Sequence, residues 1–232
     1  MSLNTLIGRE HEQRALLGFI EQKRSVLILG DEGVGKSAIL EDVVAASPVK
    51  NILYSRHSVT LKETLVNFIG FALGRKDVQK KNILSLKKLC YALLDASPDY
   101  AVLDHIGWVE PKFYGFLTYV KERGIPFIVA TRRPGKKSVG HLWMGLYDFE
   151  TLEIKNLDPR RSDQLVEYYA SVFNLKIAAD SDFKKDIFKF SRGNPKIIKE
   201  LCELARDDRY RTKGYIDVKL MDLDRRIQSA VS

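Results

Sequence analysis

Eight consecutive residues restrict this chain more than any others: Gly30-Asp31-Glu32-Gly33-Val34-Gly35-Lys36-Ser37. They match the spacing GxxxxGK followed by Ser or Thr, a match whose meaning depends on context. Ser25-Val26-Leu27-Ile28-Leu29 ahead of them reads as a short, fully buried strand, and residues 36–46 behind them read as a helix. Glycines in such a turn let successive backbone N–H groups converge on phosphate oxygens, and the helix adds the positive end of its dipole. Lys36 is a mobile cation able to reach β- and γ-phosphates. The Ser37 hydroxyl can ligate Mg²⁺, and Ala38 follows in the same helical turn. The alternative is a fortuitous Gly-rich turn, against which the flanking strand and helix both speak. Gly30–Ser37 is therefore expected to hold ATP or ADP with Mg²⁺.

The pattern around this loop repeats it in kind. A helix is expected over residues 9–23, a second strand at Asn51–Ser55, and a helix behind the capping pair Thr60 and Glu63 with Leu61, Leu65, Phe68, Ile69 and Ala72 inward. Another helix covers about 82–96, and Tyr100-Ala101-Val102-Leu103-Asp104 is a third apolar strand ending in an acid. Pro111 opens a helix with Phe113, Phe116, Leu117 and Val120 inward. Residues 126–130 give a fourth strand, a stretch near 146–155 a fifth, and residues 132–142 a basic loop without regular period. This alternation implies an α/β fold: a five-stranded parallel sheet sandwiched by helices.

Beyond Leu157-Asp158-Pro159 only helical patterns continue, with Leu165, Val166, Tyr169, Val172 and Phe173 on one face. Asn194 and Pro195 are suited to N-cap and first helical residue of a helix burying Ile197, Ile198, Leu201 and Leu204. The expected division is a nucleotide-binding core over 1–156 and a small helical lid over 157–232.

Asp104 stands where an acid would position Mg²⁺. His105 follows it, where many ATPases carry Glu or Asp to orient the attacking water. A neutral imidazole can accept a proton but supplies no fixed negative charge, and the other reading is a packed strand-end residue. Glu110, six residues beyond Asp104, is either a substitute base or a helix N-terminal charge.

Together these segments resemble the AAA+ and STAND branches of P-loop ATPases over residues 5–205. Leu6-Ile7-Gly8-Arg9-Glu10 with Glu12 is similar to the box preceding the P-loop in STAND and initiator-type AAA+ proteins, which implies adenine contacts from Ile7, Gly8 and Arg9. Ile128-Val129-Ala130-Thr131-Arg132 resembles a sensor 1 strand end, which implies γ-phosphate detection by Thr131 and Arg132. Gly193-Asn194-Pro195-Lys196 resembles the GxP motif of a lid covering the base, with Pro195 in that cover and Lys196 near the place of the sensor 2 arginine. Arg133 falls where AAA+ proteins carry a finger for a neighbour's nucleotide, and is otherwise a solvated loop charge. Little room remains after the lid helices for the full winged-helix domain of larger relatives, so either a minimal ATPase or a fragment of something longer is expected.

Charge enters as an argument about partners. The 38 basic and 30 acidic residues leave a net +8, which favours a polyanion such as DNA. Basic residues gather at Arg75, Lys76, Lys80, Lys81, Lys87 and Lys88, and again at Arg132, Arg133, Lys136 and Lys137. A merely solvated basic surface is the competing reading. No apolar run approaches the ~20 residues of a membrane helix, and no signal-like N-terminus is evident, so a cytoplasmic protein is expected. Cys90 and Cys202 lack CxxC spacing and read as buried free thiols, with a disulfide as the other reading. The expected function is an ATP-binding AAA+/STAND-type switch or motor, DNA-associated, that self-assembles or takes a protein partner in its ATP state. The alternative is a STAND-type signalling module that binds nucleotide tightly and turns it over slowly or not at all. A small-molecule or nucleotide kinase is a third class, for which no acceptor motif is present.

Overall fold

Short apolar runs punctuated by turn residues become buried strands, and the periodic segments between them become helices. The computed structural model describes residues 6–47, 49, 51–74, 77–175, 181–212 and 215–231. Arg75, Lys76 and Pro48 lie outside the described residues. The chain packs as two units, the first from His11–Asp31 and Lys36–Ile154, the second from residues 6–10, Glu32–Gly35 and the chain from Lys155 on.

In the first unit the order is α1 (Glu10–Glu21), β1 (Val26–Leu29), α2 (Lys36–Ala46), β2 (Ile52–Ser55), α3 (Leu61–Leu73), α4 (Ile83–Asp95), β3 (Tyr100–Leu103), α5 (Pro111–Glu122), β4 (Phe127–Thr131), α6 (Lys136–Val139) and β5 (Glu150–Glu153). The five strands form one parallel sheet in the order β2-β3-β4-β1-β5. Strands β2, β3 and β4 are buried at every position, as parallel strands covered on both faces must be. Leu29 pairs with Thr131, Val129 with Leu103, and Leu103 with Ser55, so the strand ends fall nearly level. Gly30, Asp104 and Arg132 therefore all leave the sheet at its C-terminal edge, where open α/β sheets place their ligands.

The local signals explain the helices. Thr60 Oγ1 accepts from the Glu63 N–H at 3.2 Å to start α3, and Gly74 ends it at a φ of 63°. Leu61, Leu65, Phe68 and Ile69 are buried beneath α3. Ala72, expected inward, is exposed, because the last turn runs past the core and leaves Phe71 and Leu73 exposed too. Pro111 begins α5, whose Phe113, Phe116, Leu117 and Val120 are all buried. The segment 132–142, expected to lack regular structure, contains α6 and leads into a 3₁₀ turn at His141–Gly145. Four residues are too few to show a period, and α6 is fixed instead by backbone bonds such as Gly140 N–H to the Lys136 carbonyl at 3.0 Å.

The second unit is built on α7 (Pro159–Val172), α8 (Ser181–Ser191), α9 (Pro195–Leu204), a hairpin of β6 (Arg211–Thr212) and β7 (Tyr215–Ile216), and α10 (Val218–Val231). Its core gathers Val166, Ile187, Ile198, Leu201, Tyr210 and Met221. Val172, expected inward, is exposed at the last turn of α7, while Tyr169 and Phe173 stack at 5.7 Å. The hairpin gives no sequence signal, since two-residue strands cannot show alternation. Cys90 and Cys202 are free and buried, and burial pushes each thiol up to about 12. No described helix is long and apolar enough to cross a membrane.

Candidate functional site

The loop after β1 belongs to both units by its packing, with Gly30, Asp31, Lys36 and Ser37 in the first and Glu32–Gly35 in the second. Each set is described in its own surroundings.

In the first unit, Lys36 Nζ donates to the Gly30 carbonyl at 2.7 Å and the Asp31 carbonyl at 2.9 Å, which curls the ammonium back over the loop. Ser37 is half-buried and Ala38 exposed in the first turn of α2. A helix leaves its first N–H groups without intrahelical partners, and α2 carries no acidic residue in that turn to answer them. Positive dipole, ammonium and hydroxyl thus face the same chemistry, that of a phosphate.

Asp104 is 2% exposed just past β3. Its Oδ1 accepts the His105 backbone N–H at 2.8 Å, and its Oδ2 lies 3.3 Å from His105 Nδ1. His105 has a φ of 48°, a left-handed turn that swings its ring out to an exposed position. It is not a packed strand-end residue. Nδ1 also lies 3.2 Å from the Arg56 carbonyl, and the ring is 5.2 Å from that of His57. Both neighbours of Nδ1 are oxygens, so the hydrogen bonds assign the neutral ring's proton to Nδ1 and leave Nε2 as the acceptor. Glu110 is the exposed N-cap of α5 and makes no side-chain cap bond.

Buried Tyr54 reports the field around the acid. Its hydroxyl has no hydrogen-bond partner among the described residues, and its pKa is raised by burial first, then by the negative charge of Asp104 and Glu41. A divalent cation would relieve that potential. No cluster of three or more His, Cys, Asp or Glu able to hold a metal occurs among the described residues. Mg²⁺ would accordingly rest on few protein ligands and the phosphates it accompanies, as suits an ion that dehydrates reluctantly.

Thr131 ends β4 beside Leu29 and is 4% exposed, its hydroxyl donating to the Arg133 carbonyl at 3.4 Å. Arg132 is exposed, with Nε 3.8 Å from Asp31 Oδ1. Such an exposed pair contributes little to stability, about 0–1 kcal/mol.

In the second unit, Arg9 is 5% exposed and its Nη2 donates to the carbonyls of Val34 and Lys155, both at 2.8 Å. Gly8 has a φ of 72°, and a Cβ there would stand 3.0 Å from Arg161 Cβ. Ile7 packs against the helical core. The box thus does structural work on the loop whatever it does for a base.

Gly193-Asn194-Pro195-Lys196 reaches the loop directly. Pro195 is the first residue of α9, and Asn194 Oδ1 caps it by accepting from the N–H groups of Lys196 at 3.1 Å and Ile197 at 3.4 Å. Asn194 Nδ2 donates to the Glu32 carbonyl at 2.8 Å, and the Lys196 N–H donates to the Gly33 carbonyl at 3.2 Å. Lys196 Nζ lies 3.0 Å from Glu32 Oε1, a bond that raises the pKa of Lys196. Asn194 as a clamp on the loop was not anticipated from the sequence, where it read only as a cap. Its amide carries a donor and an acceptor, and that double capacity was the available signal.

No protein-family model matches this chain, and no curated protein matches it. Solved structures do. A replication initiator DnaA bound to AMPPCP and single-stranded DNA aligns over 97% of this chain and 68% of its own, at 17% identity and a TM-score of 0.64. AMPPCP-bound DnaA from Aquifex aeolicus aligns over 97% and 67%, at 15% identity and 0.61. A Walker-type ATPase of Pyrococcus abyssi aligns over 97% and 72%, at 14% identity and 0.59. At these identities the likeness is one of fold.

Proposed function

We propose that this chain, which has the fold of the AAA+ P-loop ATPases, is an ATP-binding ATPase that acts as a nucleotide-dependent switch or motor. One observation carries the reading: Lys36 and Ser37 open α2 at the same sheet edge where buried Asp104 follows β3. Two of the solved structures it resembles hold the ATP analogue AMPPCP.

In this reading Lys36 exchanges the carbonyls of Gly30 and Asp31 for phosphate oxygens. The N–H groups of the α2 first turn add further donors. Ser37 and Asp104 hold Mg²⁺, which would draw charge from the β- and γ-phosphates when bound. Thr131 and Arg132 sense the γ-phosphate, and Lys196 is the second sensor, with Glu32 as its counter-ion. Ile7, Gly8, Arg9 and Pro195 border the base. Turnover adds water to the γ-phosphorus and breaks its bond to the bridging oxygen, with His105 Nε2 as the base that takes the water's proton. The net +8 charge supports DNA as partner, and a DnaA of the same fold was solved with single-stranded DNA. Self-association in the ATP state belongs to the same proposal, with Arg133 as the trans-acting charge.

A second reading is favoured by His105, since no carboxylate follows Asp104 to polarise water. In it the protein holds nucleotide tightly, turns over slowly and works as a STAND-type interaction module. Nucleotide affinity, ATP turnover and oligomer size, measured for wild type and Lys36→Ala with and without DNA, test both. Undiminished nucleotide binding by Lys36→Ala would overturn the central assignment. Tight binding without turnover would select the second reading.

A further inference from the structure

Two tryptophans are present in the chain, and both stand in the open: Trp108 is 56% exposed and Trp143 46%. Met144 and Tyr147, which follow Trp143 in the chain, are also exposed. Large exposed apolar side chains gathered in one place mark a binding surface more often than they mark chance.

The backbone brings together the two segments that carry the indoles. The Val109 N–H donates to the Val139 carbonyl at 3.3 Å, and the His141 N–H donates to the Val109 carbonyl at 3.0 Å. Val109 and Gly140 form a β-bridge. The approach is so close that a Cβ on Gly140, whose φ is 59°, would lie 2.5 Å from the Val109 carbonyl oxygen. Trp108 is therefore fastened against the segment that carries Lys136 and Lys137 on one side and Trp143 on the other.

Charge says what such a platform would accept. From Arg132 to Tyr147 the chain has four Lys or Arg residues and no Asp or Glu. Lys136 and Lys137 are exposed and form no ion pair among the described residues. Phosphates alone would ask for the lysines but would leave two indoles in water with nothing to cover them. Unpaired bases present flat π-faces to an indole, whereas bases in a duplex are already stacked on one another.

We propose that the surface carrying Trp108, Lys136, Lys137 and Trp143 binds single-stranded nucleic acid, with bases stacked on the indoles and phosphates met by the lysines. The inference rests on the nucleic-acid arm of the proposed function and gives it a place on the molecule. It also sets the strand on the same chain segment as Asp104, four residues before Trp108.

The test uses the full chain and its own fluorescence, since every tryptophan lies on the proposed surface. An oligothymidylate of about 20 nucleotides, longer than common single-strand footprints, is expected to quench tryptophan emission. The quench should weaken steeply with added salt. A duplex of equal length should leave the emission unchanged. The double variant Trp108→Ala/Trp143→Ala should weaken oligonucleotide binding, read by anisotropy of a labelled strand, by at least about 30-fold from two stacks at the low end of their range. Lys136→Ala/Lys137→Ala should lower the slope of log affinity on log salt by about 1.4. Both variants should keep nucleotide affinity, which confirms their fold. Oligonucleotide binding without a quench overturns the inference and leaves the nucleic-acid reading standing. No binding to single strand or duplex at low salt overturns both. A quench that instead follows protein concentration, with no strand present, shows that a second copy covers the face, and also overturns it.

Discussion

Replacing Asn194 separates two roles that the same side chain performs. It is 8% exposed, its Oδ1 caps α9, and its Nδ2 holds the Glu32 carbonyl at 2.8 Å. Loss of an Asn cap costs about 1 kcal/mol. A lost hydrogen bond that leaves a carbonyl unsatisfied costs about 1 kcal/mol more. Asn194→Ala should therefore destabilise the second unit by roughly 2 kcal/mol, the sum of those two contributions. Asn194→Asp is the sharper probe. If capping were everything, Asp would serve at least as well, because a carboxylate at a helix N-terminus gains about 0.3–1 kcal/mol from the dipole. The structure says otherwise: Asp would set an oxygen against the Glu32 carbonyl, with the Glu32 carboxylate nearby. We expect Asn194→Asp to be destabilised despite keeping its cap. Denaturant unfolding gives the global value, and hydrogen exchange at the Lys196 and Ile197 amides reports α9 itself, which matters where two units need not unfold as one. Asn194→Asp as stable as wild type would refute the clamp and leave a plain helix cap.

Other substitutions test the same framework. Gly193→Ala should cost at least about 3 kcal/mol or prevent folding, since its φ is 76° and a Cβ would stand 2.0 Å from the Leu157 carbonyl oxygen. Gly115→Ala, in the open on α5 with nothing within 4 Å, should instead stabilise by about 0.5–1 kcal/mol, and thermal unfolding of the pair checks both signs. Arg9→Met removes two charge-assisted bonds to the Val34 and Lys155 carbonyls and should lower stability by about 3 kcal/mol in urea unfolding. Burial raises Cys90 and Cys202 from an ordinary 9.0 to about 12. The unfolded chain then binds fewer protons between those values, so the stability of the native thiols is full below pH 9 and declines as pH rises through that window. Equilibrium unfolding between about pH 8 and 10, below the range in which the raised hydroxyls of buried Tyr54 and Tyr100 add a decline of their own, should show its onset, reduced in Cys90→Ala/Cys202→Ala, and native thiols should resist alkylation at neutral pH.

The sheet was legible because its strands are near-continuous apolar runs ended by turn residues, a signal intrinsic to four or five residues at a time. Phe113, Phe116, Leu117 and Val120 declared their face through spacing alone, and all four are buried. The signal failed where a segment is shorter than its own period, as in α6 and the strands β6 and β7, and where a helix outruns its neighbours, as at Ala72 and Val172. Around the loop, residue types raised the expectation of phosphate chemistry. Their internal partners were invisible, because Glu32 and Lys196 meet across 164 positions of chain, and Arg9 and Lys155 across 146. No local pattern encodes such pairs. The left-handed turn at His105 was equally hidden, since it follows from how Asp104 and the Arg56 carbonyl hold the ring.

The second unit draws on three separated stretches, 6–10, 32–35 and 155 onward. Its assembly must therefore wait until residues well beyond 155 have emerged during synthesis. A fragment starting at Leu157 would lack Arg9, Lys155 and the loop carbonyls that Asn194 and the Lys196 amide engage, so cutting at the apparent boundary would remove part of the structure it was meant to isolate. Joining these stretches means closing long loops, and such contacts form late and slowly. Under the proposed function, nucleotide binding would then report that the long-range contacts around residues 32–35 have formed.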